Sequence, residues 1–305
     1  MLSLDARPPR NAASRARFVQ LDILDARALL QAIREFSPDY IFHLAARTDL
    51  DGSSESDYAA NAIGVSNVIA AAKQVRSLKR VVFASSMFVC RLGYVPGNEF
   101  DYCPHTAYGQ SKVKGEQIVR REAADSFCWS IVRPTSIWGP WFDIPYRGFF
   151  DAVRKGVYVH PKGVQTRRSY GFVLNTVHQL NRLASAASDN EVHGKMFYLA
   201  DYEPLDSRHW AETIAAAFRA PKIKQLPLSA MRAAAFGSDI LKALGMRNPP
   251  LTSFRLSNML TDAVFDLTPV RRVAGDTPYS LEAGVEITVA WMQKRACGEF
   301  AFSTT

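Results

Sequence analysis

Tyr108-Gly109-Gln110-Ser111-Lys112 places a phenol and an ammonium four residues apart, which is one face of a helix. A cation beside a phenol favours the phenolate. Lys112 is therefore expected to draw the Tyr108 pKa down from about 10 and make it a usable base for an alcohol that loses hydride. By itself this pair is weak evidence, because Tyr and Lys at this spacing are common on solvated helix faces. Ser85-Ser86 adds weight: it closes the apolar run Val81-Val82-Phe83-Ala84. A hydroxyl at the C-terminal end of a strand lies at the ligand-binding edge of a doubly wound sheet, where Ser86 could bond the oxygen that Tyr108 deprotonates.

The elements that must position these groups read as repeated βαβ units. Phe18–Leu21 is followed by a helical stretch, Ala26–Phe36, and Tyr40–Leu44 by Tyr58–Val75. Val81–Ala84 is followed by Ala107–Ala123, and Trp129–Val132 comes next. Near-continuous apolar strands between amphipathic helices indicate a parallel sheet covered on both faces. In the second helix Tyr58, Ala62, Val65, Ile69 and Ala72 form one stripe. Beyond Pro134 the pattern loosens into helices at Val173–Ala187, Ser207–Phe218, Ala230–Leu244 and Leu281–Lys294, with short strands at Met196–Leu199 and Ile223–Leu226. The fold class expected is α/β, a Rossmann-like doubly wound sheet with a smaller mixed α/β C-terminal lobe. The division expected is 1–140 for a partial dinucleotide-binding domain and 141–305 for a mainly substrate-binding lobe, some segments of which return to the sheet.

Composition narrows the classes. The 305 residues are 48% hydrophobic, enough for a core, and no uncharged apolar stretch approaches a membrane span. Cys90, Cys103, Cys128 and Cys297 have no metal-ligand spacing and are too few for a disulfide framework, which suits a reducing, cytoplasmic compartment. Lys+Arg 37 against Asp+Glu 29 gives a net charge of +8, spread in scattered basic pairs. That suits an anionic small ligand such as a nucleotide diphosphate; no nucleic-acid and no membrane partner is expected. The first eighteen residues are Arg- and Ser-rich, but Pro8-Pro9 breaks any transit-type helix, so they read as a short strand, Leu2–Leu4, and a basic loop.

The ordered motifs resemble the extended short-chain dehydrogenase/reductase superfamily, in its NAD-dependent epimerase/dehydratase branch of nucleotide-sugar enzymes. They are Leu21-Asp22-Ile23, His43-Leu44-Ala45-Ala46, Tyr58-x-x-Asn61-x-x-Gly64-x-x-Asn67, Ser85-Ser86, Tyr108-x-x-x-Lys112 and Arg133-Pro134-x-x-x-x-Gly139-Pro140. Arg168-x-Tyr170 follows, and Asp266, Pro278 and Leu281-Glu282-x-Gly284 resemble the C-terminal signature. The resemblance implies Ser86, Tyr108 and Lys112 as catalytic residues and NAD, or NADP, as cofactor. Around that cofactor it implies Asp5, Asp22, Ile23, Leu44, Ala45, Ala46, Asn61, Tyr108, Lys112 and Pro134. It implies Ser86, Met87 and Arg168 around a nucleotide-diphosphate sugar, no metal, and room for a homodimer. It also implies an absence. The first glycine is Gly52, so no glycine-rich turn opens the chain, and Leu2–Asp5 resembles the family's second strand. The expectation is an N-terminal truncation: a strand, turn and helix upstream of Met1, lost through a misplaced start or a genuine shortening.

Plainer readings stand beside these. His43 reads as a structural histidine, Asn61 as a backbone bridge, and Asp22 and Asp25 as helix caps. Arg168 reads as a solvated loop arginine, and Trp138, Trp141 and Phe142 as lobe packing. The leading functional expectation is a nucleotide-sugar epimerase acting through a transient keto-sugar. The alternatives are a dehydrogenase or keto-reductase on a nucleotide sugar or 3β-hydroxysteroid-like alcohol, and a truncated non-catalytic binding protein. A dehydratase is disfavoured. Where such enzymes carry an Asp-Glu pair this chain has Met87-Phe88, and neither side chain transfers a proton. Mass spectrometry of nucleotide sugars incubated with the protein is therefore expected to show no 4-keto-6-deoxy product; such a product would require an acid from outside this loop.

Overall fold

The computed structural model describes residues 1–142, 146–246 and 251–296; Cys297 lies outside them. In chain order the first half comprises β1 (Ser3–Asp5), β2 (Phe18–Gln20), α1 (Ala26–Phe36), β3 (Tyr40–His43), α2 (Ile63–Ala72), β4 (Arg80–Ala84), α3 (Ala107–Ile118) and β5 (Cys128–Pro134). The second half adds β6 (Ser136–Trp138), α4 (Tyr146–Arg154), β7 (Val159–Pro161), β8 (Arg167–Arg168), β9 (Tyr170–Phe172), α5 (Val173–Ala184) and β10 (Lys195–Leu199). It ends with β11 (Leu205–Asp206), α6 (Ser207–Phe218), β12 (Lys224–Leu226), α7 (Leu228–Ala243), α8 (Ser253–Leu260), α9 (Thr268–Ala274) and α10 (Leu281–Ala296).

Four parallel strands in the order β10-β5-β4-β3 form the central sheet. Alternation along β4 shows why it is covered twice. Val81 and Phe83 join Leu29 and Ile33 of α1 and Val65 and Ile69 of α2 in one core. Val82 joins Leu180 and Leu183 of α5 and Val270 of α9 in another. Both faces are thus buried, the condition under which a parallel sheet is stable. β1 and β2 pair in parallel with each other and form a separate two-stranded sheet. β1, Ser3–Asp5, falls within the stretch Leu2–Asp5 expected to be a strand.

The expected helix Tyr58–Val75 is in fact two pieces. A 3-10 segment, Glu55–Asn61, precedes α2, and the break falls at Ala62 (φ −123, ψ −64). A tertiary contact acts here: the Tyr58 hydroxyl donates to the Asp49 carbonyl at 2.8 Å and holds the ring inward. α1 begins as expected, with Asp25 accepting from the Ala28 N–H at its N-terminus. α3 stops at Ile118 rather than Ala123 and continues as one π turn, Val119–Ala123.

The rest of the chain packs on aromatic rings. Trp138 lies 5.1 Å from Phe172 and 5.5 Å from Trp210, ring centre to ring centre. Gly284 packs closely here: a Cβ would meet Phe172 and Trp138 at 3.0 Å, so the rings would have to give way by a few tenths of an ångström to admit one. Pairs β6–β9, β7–β12 and β8–β11 edge this cluster, and α7 and α8 pack together on a small core of Met231, Ala235 and Leu256. Among the described residues no helix is long and apolar enough to cross a membrane, and no group of three or more His, Cys, Asp or Glu could hold a metal.

Candidate active site

Ser86, Tyr108 and Lys112 come together where β4 ends and α3 begins, all three buried. Ser86 caps a short 3-10 turn, Met87–Val89, accepting from the Phe88 N–H at 3.1 Å. Thr106 caps α3 by accepting from the Gly109 N–H at 3.0 Å, which sets Tyr108 in the first turn. The helix lies so close to the 3-10 turn that a Cβ on Gly109 would run into the Phe88 carbonyl oxygen.

The electrostatics differ from the expectation. Burial pushes the Tyr108 phenol up, a hydrogen bond with Ser86 pulls it down, and the neighbouring Tyr58 adds to the rise. Lys112 Nζ lies 6.0 Å from the centre of the Tyr108 ring and donates to the Ala84 carbonyl at 3.0 Å. The lysine is itself pushed down to about 8 by burial, against the pull of Glu116. The expected lowering of the Tyr108 pKa by Lys112 is thus corrected: desolvation raises it, and the group that opposes the rise is Ser86 rather than Lys112.

Around Lys112 stands a polar cluster that the sequence left largely unassigned. Glu116 accepts from Ser85 Oγ at 2.5 Å, from the Tyr102 hydroxyl at 2.9 Å and from Arg133 Nε and Nη2 at 2.8 Å each. Both partners of this ion pair are buried (side chains 0% and 1% exposed). Burial works against the Arg133 charge, and the carboxylate more than offsets it, keeping the guanidinium above its ordinary value. The spacing Lys112-x-x-x-Glu116 was the available signal, since it puts the carboxylate one turn along the same face. His43, Asn61, Ser85, Lys112 and Glu116 help enclose a cavity of about 20 Å³, the space of a single water molecule.

The other expected residues are placed as follows. Asn61 bridges: its Oδ1 accepts from the Arg47 N–H, and its Nδ2 donates to the Arg47 carbonyl and to Ser111 Oγ, each at 2.9 Å. It ties the end of β3 to α3. Leu44 is exposed and Ala45 and Ala46 are half-exposed just beyond β3, and Pro134 is half-exposed at the end of β5. Met87 is buried beside Ser86, and Phe88 meets the Tyr108 ring edge-on at 6.3 Å. Asp5 is exposed and accepts from the Arg7 N–H; Asp22 is exposed and accepts from the Leu24 N–H, closing a turn. The Ile23 side chain is packed in the core against Gly64, and its carbonyl accepts from Asn67 Nδ2. Arg168 stands apart from the Ser86–Tyr108 pair, on β8, where Nε and Nη2 donate to the Thr261 carbonyl. Asn175 donates to Asp201 at 2.7 Å. That explains an amide there, because a second carboxylate would face a carboxyl already pushed up to about 6 by burial.

For a dinucleotide the fit is partial. Tyr108, Lys112 and Pro134, expected around the cofactor, stand in α3 and at the end of β5. The pyrophosphate cradle expected of such a site is not formed by the described residues after β1, where the chain runs into a 3-10 segment, Ala12–Arg17, without a glycine.

The model of the NAD dependent epimerase/dehydratase family matches residues 2–199. The chain belongs to this family. A 2-alkyl-3-oxoalkanoate reductase of Stenotrophomonas maltophilia is 29% identical over 279 residues, covering 87% of this chain and 83% of the relative. A 3 beta-hydroxysteroid dehydrogenase/Delta 5-->4-isomerase of Mycobacterium tuberculosis is 26% identical, covering 85% and 74%. An undecaprenol-linked N-acetylglucosaminyl 4-epimerase of Escherichia coli O157:H7 is 24% identical, covering 88% and 82%. Among solved structures, UDP-glucose 4-epimerase of Thermotoga maritima superposes with a TM-score of 0.68 at 16% identity, covering 96% and 90%. UDP-glucuronic acid 4-epimerase of Bacillus cereus, solved with UDP-glucuronic acid and NAD, gives 0.65 at 16%, covering 92% and 82%. These last two likenesses establish the epimerase/dehydratase fold. The family is NAD(P)-dependent, and its members here include both epimerases and reductases.

Two outcomes follow. Gly109→Ala should cost about 1–3 kcal/mol by forcing α3 off the Phe88 carbonyl, read as a lower urea midpoint. Burial, with a smaller push from Lys112, holds His43 down at about 3 against 6.5 in the unfolded chain. The unfolded state therefore takes up a proton that the native state refuses, and stability is lost as pH falls from about 6.5 towards about 3. Between pH 7 and 5 the loss should be about 2 kcal/mol, and His43→Leu should abolish this part of it in paired urea titrations.

Proposed function

We propose that this protein is an NAD(P)-dependent oxidoreductase that interconverts a hydroxyl and its ketone on a substrate with an apolar carbon frame. The observation that carries the reading is the apolar ring beside the Ser86–Tyr108 pair: Phe88, two residues after Ser86, lies edge-on against the Tyr108 ring, while Met87 between them packs into the core with Val82 and Val132. Beyond the reacting oxygen, which Ser86 and Tyr108 can bond, a sugar's further hydroxyls would lose hydration against Phe88 without polar replacement, whereas an alkyl or ring carbon frame has none to lose. The sequence relatives named for an alkyl oxoalkanoate and for a 3 beta-hydroxysteroid support the same class.

Each residue has a definite task in this scheme. Ser86 Oγ bonds the substrate oxygen and the phenol together and fixes the distance between them. Tyr108 takes the hydroxyl proton during oxidation and returns it during reduction. Lys112, still mostly protonated at pH 7, stabilises the phenolate when it forms, and its ammonium also suits a nicotinamide ribose. The nicotinamide supplies hydride transfer when bound. Asn61 holds the β3 end against α3, keeping the strand end Leu44–Ala46 at the cofactor edge. In this reading 1–140 is the cofactor side and 141–305 mainly the substrate side, with β10 returning to the central sheet.

Nucleotide-sugar epimerisation is the second reading. One observation favours it: Arg168 acts on the phenols of Tyr146, Tyr158 and Tyr170, a cationic and hydroxyl-rich corner that suits a diphosphate. Absorbance of the reduced nicotinamide separates the two. Oxidation of an alcohol raises it steadily, whereas epimerisation leaves it flat while sugar stereochemistry changes. Under either reading Tyr108→Phe keeps the ring packing and should lower turnover by a factor on the order of 10² or more. Near-normal turnover of that variant on a validated substrate would remove Tyr108 from the mechanism.

A further inference from the structure

We propose that the α7–α8 hairpin is a docking surface for an anionic lipid bilayer, binding from one side without spanning it. Phe236 and Ile240 of α7 fall at i and i+4, and Leu244, the residue that caps the helix, follows four further on, so the three share one side. Phe236 is 67% and Leu244 79% exposed, and Phe254 on α8 is 68% exposed. The inner face of the same hairpin is already filled by Met231, Ala235 and Leu256, so this is a second apolar face.

Charge identifies the occupant. Over the described residues from Arg219 to Leu260 the chain carries Arg219, Lys222, Lys224, Arg232, Lys242 and Arg255 against a single acid, Asp239. That acid is engaged within the hairpin, accepting from the Ser253 N–H through both oxygens. In the full sequence, where Arg247 falls in the same segment, six of the chain's net +8 units lie between Arg219 and Leu260. Exposed aromatic and aliphatic side chains flanked by cations are what an anionic interface attracts. A second copy of the chain is the poorer occupant, because a two-fold contact would set basic rim against basic rim.

The surface also reaches the candidate site. Thr261, directly after α8, accepts from Arg168 and lies against Gly93, in the loop that follows Met87–Val89. Docking would set that loop close to the interface. The absence of an expected membrane partner rested on the lack of a span, which a surface contact does not need. The proposal is independent of the choice between oxidoreductase and epimerase.

Flotation of the full chain with vesicles tests it. Association is expected with phosphatidylglycerol/phosphatidylcholine vesicles, much less with phosphatidylcholine alone. F236S/L244S and F254S should each lower the bound fraction by roughly tenfold or more, with unchanged melting temperature because these side chains are exposed. R232E/K242E should weaken binding comparably and remove most of its salt sensitivity. Three results would overturn the proposal. They are no association with anionic vesicles, association unaltered by the apolar substitutions, or a dimer in sedimentation that F254S dissociates without any vesicle binding.

Discussion

The buried pair of Arg133 and Glu116 is the constraint on which the site depends. Arg133 stands on β5 and Glu116 on α3, and the carboxylate also bonds Ser85 at the end of β4 and the Tyr102 hydroxyl. Arg133 Nη2 donates in addition to the Glu99 carbonyl at 2.7 Å. Two strands, the helix and the loop before it are thus fixed against one another by charge in a region that excludes water. A pair of this kind is no simple gain in stability, since its desolvation is costly. Loss of one partner is worse, on the order of 3–5 kcal/mol, because the other charge is stranded. What the pair contributes is position: Ser86 and Tyr108 flank the residues it clamps.

The same arrangement explains the electrostatic character of the site. Lys112 is buried between a carboxylate it does not touch and a backbone carbonyl it does. Its charge is kept by Glu116 and opposed by desolvation, and His43 nearby is held neutral. The proton inventory is therefore spare: one phenol, one serine and one lysine whose charge is lost as pH rises through about 8.

Much of this could be read from residue order. Tyr108, Lys112 and Ser86 were legible because their chemistry leaves a spacing, and the sheet because β4 and β5 set buried apolar side chains on both faces, Val81, Phe83, Trp129 and Ile131 on one and Val82 and Val132 on the other. The break between Tyr58 and α2 was not legible: the stripe Tyr58, Val65, Ile69, Ala72 keeps helical period straight across it, while the bonds of Tyr58 to Asp49 and of Asn61 to Arg47 and Ser111 are tertiary contacts that leave no local pattern. The direction of the Tyr108 shift was missed for a related reason. A spacing tells which charges are near but not how much water has been removed around them. Ile23 shows a further limit, since motif matching placed it by a cofactor while its side chain fills the space left by Gly64.

Gly109 has a consequence for how such an enzyme could change its substrate. With α3 in direct contact with the Phe88 carbonyl, the wall of the pocket and the helix bearing the phenol form one rigid body. Any remodelling of the Met87–Phe88 turn drags the tyrosine with it and detunes the chemistry. Divergence towards new substrates is therefore channelled away from this wall. It is directed to the corner where Arg168 donates to the Thr261 carbonyl, a contact that includes neither Ser86, Tyr108 nor Lys112.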